Sequence, residues 1–176
     1  MAMMWASART ASSIRAAAAF RGLSDQASGS ATSRRLARAD FRHFERLGTR
    51  WNDNDAFGHI NNVIYYAFMD DAVNAQLIRC GIGAAYPRFV AHSSCAYFSP
   101  LSYPRPVDVG VSVVKLGNTS VGYSLGIFAG LDERAAEQQA AACGTFVHVY
   151  VDGSGRPIPL PHLVRDALGA LVVGGA

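Results

Sequence analysis

Two acids, a glycine, a histidine and a pair of adjacent asparagines crowd into one short stretch, Thr49 to Asn62, reading TRWNDNDAFGHINN. Asp53 and Asp55 come first, then Gly58, His59, Asn61 and Asn62. A carboxylate has modest intrinsic reactivity, so it works on a carbonyl only where its approach is fixed. Directly after the acids comes VIYYAFMDDAVNAQLIRC, Val63 to Cys80, which reads as one long helix. The first turn of a helix has unpaired amides and the positive end of the helix dipole. A carboxylate in a loop aimed at such a turn can attack a carbonyl held there, or activate water against it.

The neighbouring elements must hold that loop against that helix. Phe41 to Trp51 reads as a first strand running into the acids. Asn61 is suited to cap the helix, because its side chain can accept from a free amide of the first turn. Gly81 is a natural stop, which gives a helix of about 19 residues and close to 30 Å. Val63 to Met69 is apolar on all sides and suggests a helix enclosed by a sheet. Strand patterns follow: Arg88 to Phe98, the period-two run Val107, Val109, Val111 and Val113, and the run Val121, Tyr123, Leu125 and Ile127. Gly117-Asn118 turns the chain between the last two. Gly144 to Val151 gives a further strand, and His162 to Leu171 a short closing helix after the proline-rich IPLP. One strand, one long helix and consecutive antiparallel strands make an α+β domain.

Acid loop, helix start and helix length, in that order, resemble the hotdog-fold acyl-CoA thioesterases of the 4-hydroxybenzoyl-CoA thioesterase-like group. In that fold an antiparallel sheet wraps one long central helix. The resemblance spans roughly residues 40–165, with YFSPLSYPRPVDVGVSVVKLGNTSVGYSLGIF and VYVDGSGRPIPLP matching its later strands and turns more weakly. It implies hydrolysis of an acyl-CoA to a carboxylate and free CoA, with no metal and no prosthetic group. It also implies at least a homodimer, or a homotetramer, with each site at a subunit boundary.

Asp55 takes the position of the family's catalytic carboxylate, as base or nucleophile. The alternative is that Asp55 only caps its loop by accepting from nearby amides. By position the backbone N–H of Asn62 is the oxyanion donor, beside its partner Asn61. His59 is a third catalytic candidate, with a loop-steadying role as the alternative. Gly58 is expected to allow close approach of substrate or a positive φ. Phe57, Ile60 and Tyr65 are expected to wall the acyl channel, or else to belong to the core. Asp53 is expected to orient the loop by bonding Arg50 or a backbone amide.

Asp70 and Asp71 carry a competing assignment, since a second branch of hotdog thioesterases places its acid on the helix. The first group commonly has Arg two residues after such a pair, and this chain has Val73 there. DNDAFGH is no calcium loop, because Phe57 and Ile64 stand where oxygen ligands are required. Asp53, Asp55 and His59 have no further ligand cluster to complete a metal site. Arg88, Arg105 and Lys115 are candidate contacts for the CoA phosphates. Two other functions fit the same motifs: a non-catalytic acyl-CoA-binding or partner-binding subunit, and an acyl-carrier-protein thioesterase.

Charge divides the chain of 176 residues in two. Residues 1–38 hold six arginines and one acid, net +5, and the remainder sums to −2. The folded part therefore has no cationic excess to neutralise nucleic-acid phosphates. An Ala/Ser/Arg-rich leader with no acid before Asp25 has the composition of an organelle transit peptide. Mitochondrion is the expected destination, with plastid as the alternative, and the domain is expected over residues 39–176. No apolar run is long enough to span a membrane. Cys80, Cys95 and Cys143 are odd in number and far apart, which fits neither a disulfide framework nor a zinc site.

Overall fold

The computed structural model describes residues 35–130 and 136–172. Its elements in chain order are β1 (His43–Leu47), α1 (Asn62–Arg79), β2 (Arg88–Tyr97), β3 (Val107–Leu116), β4 (Ser120–Ala129), β5 (Ala142–Tyr150) and α2 (His162–Gly169). The strands form one antiparallel sheet in the order β1-β3-β4-β5-β2, which leaves β1 and β2 as edges. With α1 laid along one face, this is the α+β hotdog architecture the sequence implies. Among the described residues, no helix is long and apolar enough to cross a membrane.

Helix α1 starts where its cap chemistry dictates. Asn61 is extended and its side chain accepts from the amide of Val63. At the other end Gly81 turns the chain at φ +73°, and the Ile82 amide reaches back to the Leu77 carbonyl. Tyr65, Phe68, Met69, Ala72, Val73, Gln76 and Leu77 are buried, a spacing of three and four that defines a single face. Val63 and Ile78 stay exposed, so the helix is covered on one side within the subunit rather than enclosed all round. Apolar residues at every position of its first turns do not distinguish these two arrangements.

Close seating of the helix requires Gly144 on β5. A Cβ there would run into the Met69 sulfur and stand 2.8 Å from the Ser94 carbonyl oxygen. The inner face of the sheet supplies Val109, Val111, Val121, Tyr123, Leu125, Ile127 and Phe146 to the core.

The opposite face of the sheet is covered by the chain ahead of β1. Gly110 and Gly126 are cross-strand partners, and the ring of Phe41 lies over both. Phe41, Phe44 and Phe128 meet edge to face, with the Arg38 guanidinium 4.2 Å from the Phe44 ring centre. Arg38 and Arg46 both bind the buried carboxylate of Asp108. Burial alone would raise the Asp108 pKa, but the hydrogen bonds from Arg46 and Arg38 outweigh it and hold the group ionised below the ordinary value. Ordered packing thus reaches back to Arg35, whose guanidinium bonds the Ala140 carbonyl, four residues ahead of the domain start read from the sequence. Residues 1–34, the bulk of the leader, lie outside the described residues.

The expected first strand, Phe41 to Trp51, is shorter at both ends. Asp53 explains the later end: its carboxylate accepts from the Arg50 amide and turns Trp51–Asp53 into a 3-10 turn.

Candidate active site

Asp53 is 1 % exposed and serves as the loop's anchor. One oxygen accepts from the Arg50 amide at 2.6 Å, the other from the Arg50 guanidinium at 2.9 and 3.1 Å. Its carbonyl accepts from the Asn61 amide at 2.8 Å, tying the loop to the start of α1. The Ile60 amide bonds the Leu101 carbonyl, and the Asn54 side chain accepts from the Tyr103 amide, so the loop is also pinned to the segment after β2.

Within this frame residues 55–59 form a tight turn. The Asp55 amide donates to the His59 carbonyl at 2.7 Å, and the Gly58 amide to the Asp55 carbonyl at 3.1 Å. Gly58 has φ +78°, where a side chain is strained. Asp55 Oδ1 accepts from the amides of Phe57 and His59 at 2.8 and 3.2 Å. Asp55 Oδ2 takes no hydrogen bond among the described residues. The two readings of Asp55 therefore apply to different oxygens: one caps the turn, and the other is free.

A cleft of about 400 Å³ is lined by Asp55, His59, Ile60, Asn62, Tyr65 and Tyr97, together with 98–100. The Asn62 amide, in the first turn of α1, has no acceptor among the described residues. Tyr97 donates its hydroxyl to the Asn62 carbonyl at 3.2 Å and packs edge to face on Tyr65. Burial pushes both phenols above their ordinary pKa, so both are neutral donors near neutral pH. The cleft thus brings together a restrained carboxylate, an unpaired amide at a helix start and aromatic walls. Such a set can take a proton from water, or bond directly to an acyl carbon, while a developing oxyanion is held.

The sequence-derived residues are distributed unevenly around it. Asp55, His59, Ile60, Asn62 and Tyr65 line the cleft. Phe57 does not: it is 84 % exposed on the outside of the turn. Gly58 and Asn61 shape the backbone from outside the lining, one through its φ and the other as the helix cap. Tyr97 lines the cleft without having been singled out, because strand pairing rather than local spacing delivers it, and Ser99 and Pro100 follow just beyond the strand end. Asp70 and Asp71 are exposed on α1 and do not line this cleft. Arg88 bonds Asn74 and two carbonyls at a separate cleft, while Arg105 and Lys115 are exposed. Among the described residues, no group of three or more His, Cys, Asp or Glu is placed to hold a metal ion.

This sheet, helix and loop define the hotdog class of proteins. A family profile described as the thioesterase-like superfamily matches residues 49–168, and the chain belongs to that superfamily of thioester hydrolases. The PA5185 protein of Pseudomonas aeruginosa is 42 % identical, with a TM-score of 0.74, covering 81 % of this chain and all of that one. A Thermus thermophilus thioesterase complexed with coenzyme A and Zn is 30 % identical at a TM-score of 0.62, over 74 % of this chain and 95 % of its own. A 1,4-dihydroxy-2-naphthoyl-CoA thioesterase from Synechocystis shares the fold at 15 % identity and a TM-score of 0.64, over 73 % and 96 % of the two chains. No curated protein matches.

Proposed function

We propose that the protein hydrolyses an acyl-CoA thioester to a carboxylate and free CoA. The observation that carries this reading is the pairing of the free Asp55 oxygen with the unpartnered Asn62 amide at one cleft. In the general-base route Asp55 takes a proton from water and the water oxygen bonds to the thioester carbon. The carbonyl oxygen becomes an oxyanion, stabilised by the Asn62 N–H and the positive end of α1. Collapse breaks the C–S bond, and the departing thiolate takes the proton from Asp55. In the nucleophilic route Oδ2 itself bonds to the carbon, and the C–S bond breaks to expel CoA thiolate. Water then cleaves the mixed anhydride, regenerating the Asp55 carboxylate and releasing the acid, whose proton goes to the thiolate. Both routes need one carboxylate oxygen fixed and the other free.

The coenzyme A complex of the Thermus relative supports CoA as the carrier. The working unit is a homodimer or homotetramer. Edge strand β2 exposes Phe89 and Tyr97, and α1 exposes Val63 and Ile78, apolar surface of the kind a second copy covers. The basic leader directs the chain to the mitochondrion, a reading tested by fusing residues 1–34 to a fluorescent reporter.

The decisive experiment is thiol release from short, long and aromatic acyl-CoAs by the full chain and by Asp55→Asn. Turnover that collapses in the folded variant supports the assignment. Turnover that survives moves the acid to Asp70 or Asp71. Tight acyl-CoA binding without turnover establishes the non-catalytic alternative.

A further inference from the structure

A second cleft of about 330 Å³ lies between the middle of α1 and the opposite end of β2. Asp70 and Asn74, one helical turn apart, form one wall, and Arg88, Val90 and His148 form the other. Strand pairing assembles the second wall: Arg88 stands opposite Tyr150 and Val90 opposite His148, so all four side chains share the helix-facing side. The β2–β5 ladder is irregular between Val90 and His92, and such bulges re-aim side chains locally.

Two features of this cleft are unexplained by the fold. His148 is 2 % exposed, yet neither ring nitrogen has a hydrogen-bond partner. An orphaned buried polar group costs roughly 1–3 kcal/mol, so interiors seldom keep one without a partner. Burial, and then the charge of Arg88, lowers the His148 pKa to about 4, so the ring is neutral and offers one N–H and one acceptor. Arg88 is the second feature. Its guanidinium bonds the Gly83 carbonyl at 2.8 Å, the Tyr86 carbonyl at 3.3 Å and Asn74 Oδ1 at 2.6 Å. All three acceptors are neutral, and among the described residues no carboxylate pairs with Arg88. A guanidinium has five N–H groups, so donors remain beyond those three bonds.

We propose that this cleft binds a carboxylate group, held by the remaining Arg88 donors with a further hydrogen bond from His148. An oriented guanidinium with free N–H groups matches carboxylate geometry. Asp70 at the rim opposes more highly charged anions such as phosphate. The carboxylate is that of a free organic acid, because the cleft sits at the other end of ten-residue β2 from the Asp55 cleft, about 30 Å along the strand. This reading is independent of the thioesterase assignment.

The test uses the full chain with ¹³C-labelled histidine rings, the His148 signal being assigned with His148→Asn. Acetate and glutarate are the probes. A saturable shift of the His148 signal is expected with at least one probe. Its apparent affinity should fall about tenfold or more in Arg88→Met, the scale of hydrogen bonds to a charged group. Where Arg88→Met does not fold, Arg88→Lys keeps the charge without the fork, and weakening is again expected. No saturable shift with any probe overturns the proposal, as does a shift of unchanged affinity in a folded Arg88 variant. Thiol release from an uncharged acyl-CoA is measured in parallel and reports on the Asp55 loop alone.

Discussion

The backbone of His59 grips Asp55 at two points: its carbonyl accepts from the Asp55 amide at 2.7 Å, and its amide donates to Asp55 Oδ1 at 3.2 Å. The orientation of the acid thus depends on the main chain of residue 59, not on its imidazole. Asp55→Asn is expected to lower kcat by about 10²–10⁴, the usual worth of a positioned acid or base. His59→Ala should keep kcat within about tenfold, since both backbone bonds survive, and side-by-side steady-state kinetics check the contrast. A loss in His59→Ala equal to that in Asp55→Asn would give the imidazole a direct chemical role.

Gly58 closes the same turn at φ +78°. No atom crowds the place where a Cβ would stand, so the penalty of Gly58→Ala comes from backbone conformation alone. It is expected to be about 1–2 kcal/mol. Thermal denaturation measures that cost, and kcat should fall with it as the turn relaxes around Asp55.

Gly144→Ala acts by collision instead. The added methyl meets the Met69 sulfur and the Ser94 carbonyl, so α1 must lift or β5 must shift. A loss of about 1–3 kcal/mol in urea denaturation is expected. Met69→Ala in the same chain should recover part of it by removing the side chain that is struck.

His148 makes stability depend on pH. Its pKa is about 4 in the folded protein against an ordinary 6.5. Between those values the unfolded chain binds the extra proton, so stability from this group is full above pH 6.5 and falls as pH drops toward 4. The full loss is about 3 kcal/mol. Denaturation midpoints across that window should flatten in His148→Phe.

Arg38 joins the leader-side chain to the folded body through Asp108. A chain beginning at residue 39 leaves that buried carboxylate to Arg46 and strips one ring contact from Phe44. It is expected to be about 2 kcal/mol less stable than one beginning at residue 35, the scale of a hydrogen bond to a charged group. Chemical denaturation of the two chains compares them directly.

What was legible in the sequence is what short-range chemistry decides. Asn61 caps α1 through an amide two residues away, and Asp53 reaches only to Arg50, so composition and spacing suffice for both. The alternating valines of β3 likewise declare a strand, and with it most of the fold. Tyr97 reaches the helix start across 35 residues and Arg38 reaches Asp108 across 70, and no local pattern encodes either meeting. Phe57 shows the opposite failure. It sits beside the acid in sequence, but the turn that fixes Asp55 throws its ring outward.

The division of labour between the two oxygens of Asp55 has a consequence for recognising kindred enzymes. Two of the four bonds that wire its turn join amides and carbonyls every residue possesses, and the other two run from backbone amides to the acid itself. Positions 56, 57 and 59 are therefore free to drift while the circuit stays closed. A comparison weighted toward the letters at those positions would discard working loops, whereas one that asks for an acid, a glycine three residues on and a capped helix would retain them.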